Sequence, residues 1–349
     1  MMKYVFRADH SFSEEARMLD SSSGVHSYLR AAALAALLLA LPAAAQMPGG
    51  VLVVTNKSVA TATFVELPSG RVLATLPTGQ GPHEITLSSD GGTAVVTDYG
   101  GGGRTLTVID VVSRRVARTV DLGPYHAPHG IAFLPGDSLV AVTSERSGNV
   151  VIVRPADGAV HAAIATGGDG SHMLTFGRQG ERIYTGNIAS NTVSELDVAT
   201  GTILRTFDVP PDPEAIGMPS DGGEVWIGSN SVGVVSAIDL ATGEVRSVAD
   251  GFGWPYRIVF TPDNATVLLP DARRHELRIL ERASGRELAR LPFPGGGPQG
   301  VTVSPDGRYA FLSLSRQGRV AVIELNSRAM VGQVEVGPAP DGVVFVPPR

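Results

Sequence analysis

A short motif returns at intervals of 46, 43, 42, 42, 43 and 42 residues along most of this 349-residue chain. After a Gly/Pro-rich stretch it reads Pro82-His83, Pro128-His129, Ser171-His172, Pro213-Glu214, Pro255-Tyr256, Pro298-Gln299 and Pro340-Asp341. A period near 43 marks one supersecondary unit per repeat. Such a unit cannot bury its apolar surface alone and must stack on its neighbours. The frame is constant, but the second residue of the motif changes from unit to unit. The frame therefore speaks to fold, and the changing position is the first place to look for function.

Each unit contains four β-prone runs. The first follows the motif, as in HEITLS (83–88), YRIVFT (256–261) and DGVVFV (341–346), with apolar residues alternating with small or polar ones. Turn residues such as Asp90-Gly91 and Asp306-Gly307 come next. The second run ends in a Thr/Ser/Asn/Asp cluster, as in VVTN (53–56) and VVTD (95–98), and the third and fourth follow with a turn between them. Four antiparallel strands in about 43 residues describe a propeller blade. Both the first and the second class of run occur seven times. The N-terminal segment has the second, third and fourth strands of a blade, and 341–346 has the missing first. The expectation is an all-β, seven-bladed β-propeller of four-stranded antiparallel blades, closed by pairing the C-terminal strand with the N-terminal blade. Shared closure leaves no exposed sheet edge at the seam.

Composition narrows the chemistry. There is no cysteine, which excludes disulfides, thiolate metal sites and a cysteine nucleophile. A net charge of −6 gives no bulk attraction to nucleic acid. Residues 31–45, AAALAALLLALPAAA, follow Arg30 and end in an A-x-A pattern before Gln46, which reads as a signal-peptide core and cleavage site. The run is short for a membrane span, and an uncleaved apolar anchor is the alternative. The polar stretch before it is long for a leader, which points to a misplaced start codon, with Met18 as a plausible true start. The expected organisation is a leader over 1–45 and one propeller domain over 46–349. The mature protein is expected to be periplasmic or secreted, with no membrane span, and monomeric.

In a propeller the first strands line the central channel. The residues entering them lie at one mouth, together with the loops after the second strands. His83, His129, His172, Glu214, Tyr256, Gln299 and Asp341 should ring that mouth. Around them come Lys57, Asp98, Tyr99, Glu145, Arg146, Asn187, Asn230, Asp271, Arg274, His275 and Arg316. His83, His129, His172 and Glu214 lie on four consecutive units. Three imidazoles and a carboxylate suit one divalent ion such as Zn, Cu, Fe, Mn or Mg, with His126 as a further contributor. The same residues can instead hydrogen-bond neighbouring blades. A catalytic arrangement would use His129 or His172 as acid or base with Glu214 beside it. Candidate ligand contacts are Tyr256, Arg257, Gln299, Asp341, Asp98, Glu145, Asn187, Asn230 and Asp271. Phe252 and Trp254 either stack on a ligand or pack the Gly251–Pro255 turn. Gly100–Gly103 reads as a flexible loop. Asp197 and Asp239 read as turn caps on the opposite face.

The motifs Thr55-Asn56, Tyr184-Thr185-Gly186-Asn187, Asp197 with Gly201, Asp239 with Gly243, and Ser304-Pro305-Asp306-Gly307 resemble the YVTN-repeat β-propellers and the exported YncE-like group over essentially all of 50–349. The resemblance implies an exported propeller binding a small molecule, a metal ion or a partner protein at its channel face. Related lactone-acting propellers and virginiamycin B lyase imply an alternative: a divalent-metal-dependent lyase or hydrolase with a His/Glu channel site. YncE-type proteins have also been linked to DNA, which would engage Arg273, Arg274, His275, Arg257 and Arg316. Similar propellers accompany quinoprotein and haem enzymes, which implies an auxiliary role as a third possibility.

Overall fold

A computed structural model describes residues 46–348, and the expected leader lies outside the described residues. Their strands form seven four-stranded antiparallel sheets. We number the blades from the first complete one. Blade 1 comprises Pro82–Leu87, Thr93–Asp98, Thr105–Asp110 and Arg115–Asp121. The first strands of blades 2 to 6 are Pro128–Phe133, Ser171–Phe176, Pro213–Gly217, Val259–Phe260 and Pro298–Val303. Blade 7 joins the chain ends, with Pro340–Val346 beside Gly50–Asn56, Thr61–Leu67 and Val72–Pro77. Its seam runs antiparallel from Val51↔Val346 to Asn56↔Pro340.

The middle strands of each blade read as continuous apolar runs because both of their faces are covered by neighbouring blades. Leu52, Val54 and Val343 of blade 7 pack with Phe311 and Val322 of blade 6. Val95 and Leu106 of blade 1 pack with Val142 and Val151 of blade 2. Each such side chain contributes roughly 1.5–3 kcal/mol on burial. The fourth strands form the outer edge and alternate with solvent, as in Arg115–Asp121, where Val120 alone is buried.

Two local devices set the channel end of the blades. First, every complete first strand is irregular just after the repeat motif; in blade 1 the register steps from Pro82↔Asp98 to Ile85↔Val96. In blades 7, 1 and 2 the Thr of the second-strand cluster fills that gap. Thr97 Oγ1 accepts from Glu84 N at 3.0 Å, and Thr143 Oγ1 accepts from Gly130 N at 2.9 Å. Thr55 goes further and donates to His83 O of the next blade at 3.0 Å. Second, the residue after the variable position is Gly in blades 2, 6 and 7, where adjacent strands nearly touch. A Cβ on Gly130 would lie 2.8 Å from Met173 Cα and 2.9 Å from His172 O. Cβ atoms on Gly300 and Gly342 would lie 2.1 Å from Asp341 O and 2.6 Å from His83 O. These glycines let neighbouring first strands close in, which brings their variable side chains together.

Two expectations need correction. The strand expected over 256–261 is reduced to Val259–Phe260, preceded by an isolated bridge, Pro255↔Asp271. Pro270 stands where blades 7, 1 and 2 have the gap-filling Thr, so it offers neither a hydroxyl nor an N–H there. Gly100–Gly103 is a built turn rather than a flexible loop. It contains a 3-10 turn, Gly100 N donates to Gln80 O at 2.8 Å, and a Cβ on Gly103 would strike Asp98 O.

Candidate functional site

The seven variable residues do meet at one mouth, and they sort into two halves. In the half built by blades 5, 6 and 7, Asp341 is fully buried. Its Oδ2 accepts from Tyr256 Oη at 3.1 Å and pairs with Lys57 Nζ at 3.1 Å. Lys57 begins the 3-10 turn Lys57–Val59 and also donates to Gln299 Oε1 at 3.0 Å. Burial opposes the Asp341 charge, but Lys57, His83 and Arg257 outweigh it and hold the carboxyl down at about 2. Below this lies an ion pair between Arg257 of blade 5 and Glu84 of blade 1, elements on opposite sides of the ring. It spans the channel. Beneath it is a cavity of about 360 Å³ lined by Ile85, Met173, Ile216, Ile258, Val301 and Phe345, among others.

In the half built by blades 1 to 4, aromatic rings and carboxylates interleave. Tyr99 stacks on His83 with centroids 4.9 Å apart and 15° between planes. His129 stands edge-on to both, at 4.5 Å from His83 and 5.1 Å from Tyr99. His172 lies over His129 at 3.6 Å with a 30° tilt. Both nitrogens of His172 face carboxylates: Nδ1 is 2.9 Å from Glu145 Oε2, and Nε2 is 3.7 Å from Glu214 Oε1. Tyr99 Oη donates to Glu145 Oε1 at 3.3 Å. Trp254 Nε1 donates to Glu214 Oε2 at 2.9 Å, and Asn230 Nδ2 donates to the same oxygen. A belt of hydrogen bonds, joined by the His172–Glu214 ion pair, thus crosses blades 1 to 4.

The three histidines differ in charge for physical reasons. Burial favours the neutral ring in all three. At His83 it brings the pKa down to about 3 despite Asp341 nearby. At His129 burial is joined by repulsion from His172 and His83, and the pKa falls well below the ordinary value. At His172 burial is overcome by Glu145 and Glu214, which raise the pKa. The ring most favoured to hold a second proton, clamped by two carboxylates, therefore lies against the ring least favoured to hold one.

Asp341 Oδ1, Asn230 Oδ1 and Arg257 Nε are each buried in this mouth without a hydrogen-bond partner, and His129 goes further. It is fully buried, and neither ring nitrogen has a hydrogen-bond partner. His83 Nδ1 is also buried without one, 3.5 Å from Asp341 Oδ2 but outside hydrogen-bond geometry. The expected four-ligand set His83, His129, His172 and Glu214 is gathered but does not point at one centre. Among the described residues no three His, Asp or Glu side chains are arranged to hold a metal ion together. The turn of His172 toward its two carboxylates is the reason.

Other expected contacts lie elsewhere. Asp98, Asn187 and Asp271 are buried beneath the rim and serve their own blades. Asn187 Nδ2 bonds Thr192 and Ser194, and Asp271 accepts from the backbone of Gly253, Trp254, Arg273 and Arg274. His126 Nδ1 contacts Gly102 O at 3.3 Å, away from the other imidazoles' nitrogens. Phe252 is buried under the Arg278 guanidinium, which lies 3.9 Å from its centroid, so it packs the blade. Trp254 belongs to the belt. Of the basic group, Arg273 lies over Trp254 at 5.3 Å, His275 Nδ1 accepts from Gly297 N at 3.1 Å, and Arg257 is withdrawn into the channel. Asp197 and Asp239 are turn caps, accepting from Thr200 N and from Ala241 N and Thr242 N. Glu84 was not among the sequence candidates. Its only signal was a charge one step past His83 in a channel-lining strand.

No helix among the described residues is long and apolar enough to cross a membrane. No protein-family model matches the chain, and no curated protein does. Among solved structures, a chain of Kuenenia stuttgartiensis hydrazine synthase is similar, with 18% identity over 82% of this chain and 98% of that one, at a TM-score of 0.69. At that identity the likeness shows the fold alone: this chain is a seven-bladed β-propeller.

Proposed function

We propose that this protein is an exported, monomeric binding propeller of the YncE-like kind, and that its ligand sits in the half-mouth of blades 1 to 4. The observation that carries this is His129. A neutral imidazole offers one N–H donor and one lone-pair acceptor. Leaving each buried and unpaired costs about 1–3 kcal/mol. The side chains at the same position in blades 3 to 7 all have hydrogen-bond partners. A position kept for stability alone would be filled by an apolar residue or given a partner. Buried nitrogens beside two mouth-facing rings and a preorganised carboxylate belt suit a ligand held by imidazole.

The test is a thermal-shift and calorimetry survey of the purified protein with small organic ligands and metal ions. A ligand of the half-mouth binds the parent and loses affinity in His83→Ala, while His161→Ala, on the exposed outer strand Val160–Ala165, keeps it. A ligand that binds equally well to His83→Ala and His129→Ala overturns the proposal. A second function, a metal-dependent lyase or hydrolase acting on a lactone or ester, is favoured by His172 alone, an imidazole oriented by Glu145 in the manner of a general acid. Turnover of such substrates that disappears in His172→Gln would establish it.

A further inference from the structure

We infer that the ligand of this half-mouth is a d-block metal ion held by His83 and His129 as a cis pair, with His172 outside the coordination shell. This rests on the binding function proposed above and names its ligand class. Access comes first. His129 has no exposed surface and is enclosed by the rings of His83, Tyr99 and His172 at 3.6–5.1 Å. His83 is the entry point, with 16% of its side chain exposed. A ligand that reaches His129 nitrogens by a shift of that one ring is the size of an ion.

Ring geometry then selects the pair. With metal–nitrogen bonds of about 2.0–2.1 Å, the centre of a ligating imidazole lies roughly 3.2 Å from the ion. At that radius the 4.5 Å between the His83 and His129 centres subtends roughly 90°, the cis angle of tetragonal and octahedral ions. The 3.6 Å between His129 and His172 subtends roughly 70°, too acute for two ligands of one centre. His172 is in any case engaged at both nitrogens by Glu145 and Glu214. It acts as a positioning residue, lying over His129 at 3.6 Å. Imidazole donors suit Cu, Ni, Zn or Fe rather than the oxygen-seeking Mg or Ca. Two protein ligands leave the other positions of the ion for water or an incoming molecule at the mouth.

Cu(II) is the probe. The purified full chain is titrated with Cu(II) and followed by calorimetry and by electron paramagnetic resonance, in which nitrogen hyperfine lines count the ligating imidazoles. One ion per chain with two nitrogens is expected. His83→Ala, at a partly exposed position, should weaken binding by about tenfold or more, since even outer partners of metal ligands carry that much. His129→Ala should abolish it, with circular dichroism and melting confirming the fold, and His161→Ala should leave it intact. No binding, binding that survives His83→Ala unchanged, or a count of three nitrogens would each overturn the assignment. Absence of copper binding alongside capture of an organic ligand that depends on His83 would sink the metal ion while leaving the binding function standing. Absence of both would remove both.

Discussion

Asp98→Asn should stabilise this protein at neutral pH and leave it unchanged in acid. Asp98 occupies the repeat position that Asn56 and Asn187 hold in blades 7 and 3. Asn56 Nδ2 donates to Thr61 and Thr63 at 3.1 and 2.8 Å, and its Oδ1 accepts from Gly337 N at 2.9 Å. Asp98 keeps the same frame with acceptors only: Oδ2 takes Thr105 at 2.7 Å and Thr107 at 3.0 Å, and Oδ1 takes Gly79 N at 3.0 Å. Burial pushes its pKa from 3.8 to about 6, with those three hydrogen bonds only partly opposing it. At about 1.4 kcal/mol per pKa unit, a rise of this size costs the ionised fold about 3 kcal/mol. The folded protein holds the proton more tightly than the unfolded chain. This contribution is therefore present below about pH 4 and is lost as pH rises to about 6. Asn removes the titration, and its amide can donate to Thr105 and Thr107 as Asn56 does to its own pair. At about 2 °C per kcal/mol for a domain of this size, melting at pH 7.5 should rise by roughly 5 °C, and the gain should vanish near pH 4. Thermal melts of both proteins from pH 4 to 7.5 measure it. A variant that melts lower at pH 7.5, or a difference that does not change with pH, would refute the reasoning.

The reverse substitution, Asn187→Asp, should lower the melting temperature at pH 7.5 more than at pH 5, because its Thr192 and Ser194 partners leave a carboxylate as deeply buried as Asp98. Gly130→Ala places a Cβ against the backbone of His172, Met173 and Leu174. It should cost about 1–3 kcal/mol in urea unfolding and weaken any ligand that depends on the His129–His172 contact. Trp226 is fully buried, edge-on to Phe260, and its indole N–H has no acceptor. Trp226→Ala should therefore cost about 3–5 kcal/mol, whereas Trp226→Phe, which removes the unpaired donor, should cost clearly less in the same denaturation assay.

The seven-fold frame and its seam were legible because they rest on local chemistry repeated many times. Turn residues, alternating runs and a period near 43 state the blade, and counting first and second strands finds the shared one. The mouth was legible for the same reason: strand order fixes which loops share a face. What was not legible is where a side chain turns once it arrives there. Asp98, Asn187 and Asp271 belong to the loop-facing cluster by position, yet each folds inward because Thr hydroxyls or backbone N–H groups of its own blade wait beneath it. Arg257 follows the variable position of blade 5, where the regular strand begins only at Val259. Its guanidinium meets Glu84 across the channel. Both outcomes depend on partners distant in sequence, which a repeat pattern does not encode.

The two halves of the mouth show why the variable position matters. Around Asp341, acceptors and donors come from three blades and match in charge: the buried carboxylate accepts from Lys57 and Tyr256, and Lys57 also donates to Gln299. That half is a plug, and it ties the seam strand Pro340–Val346 to the blades beside it. Around His172 the match is also close, with Glu145 and Glu214 each held by further donors. His129 lies between these two paired systems and shares a hydrogen bond with neither. The same Gly that draws blade 3 against blade 2 brings His172 over His129, with His83 nearly perpendicular to it at 4.5 Å. The backbone device that tightens the ring thereby produces the one imidazole pair in the mouth whose nitrogens the fold itself does not use.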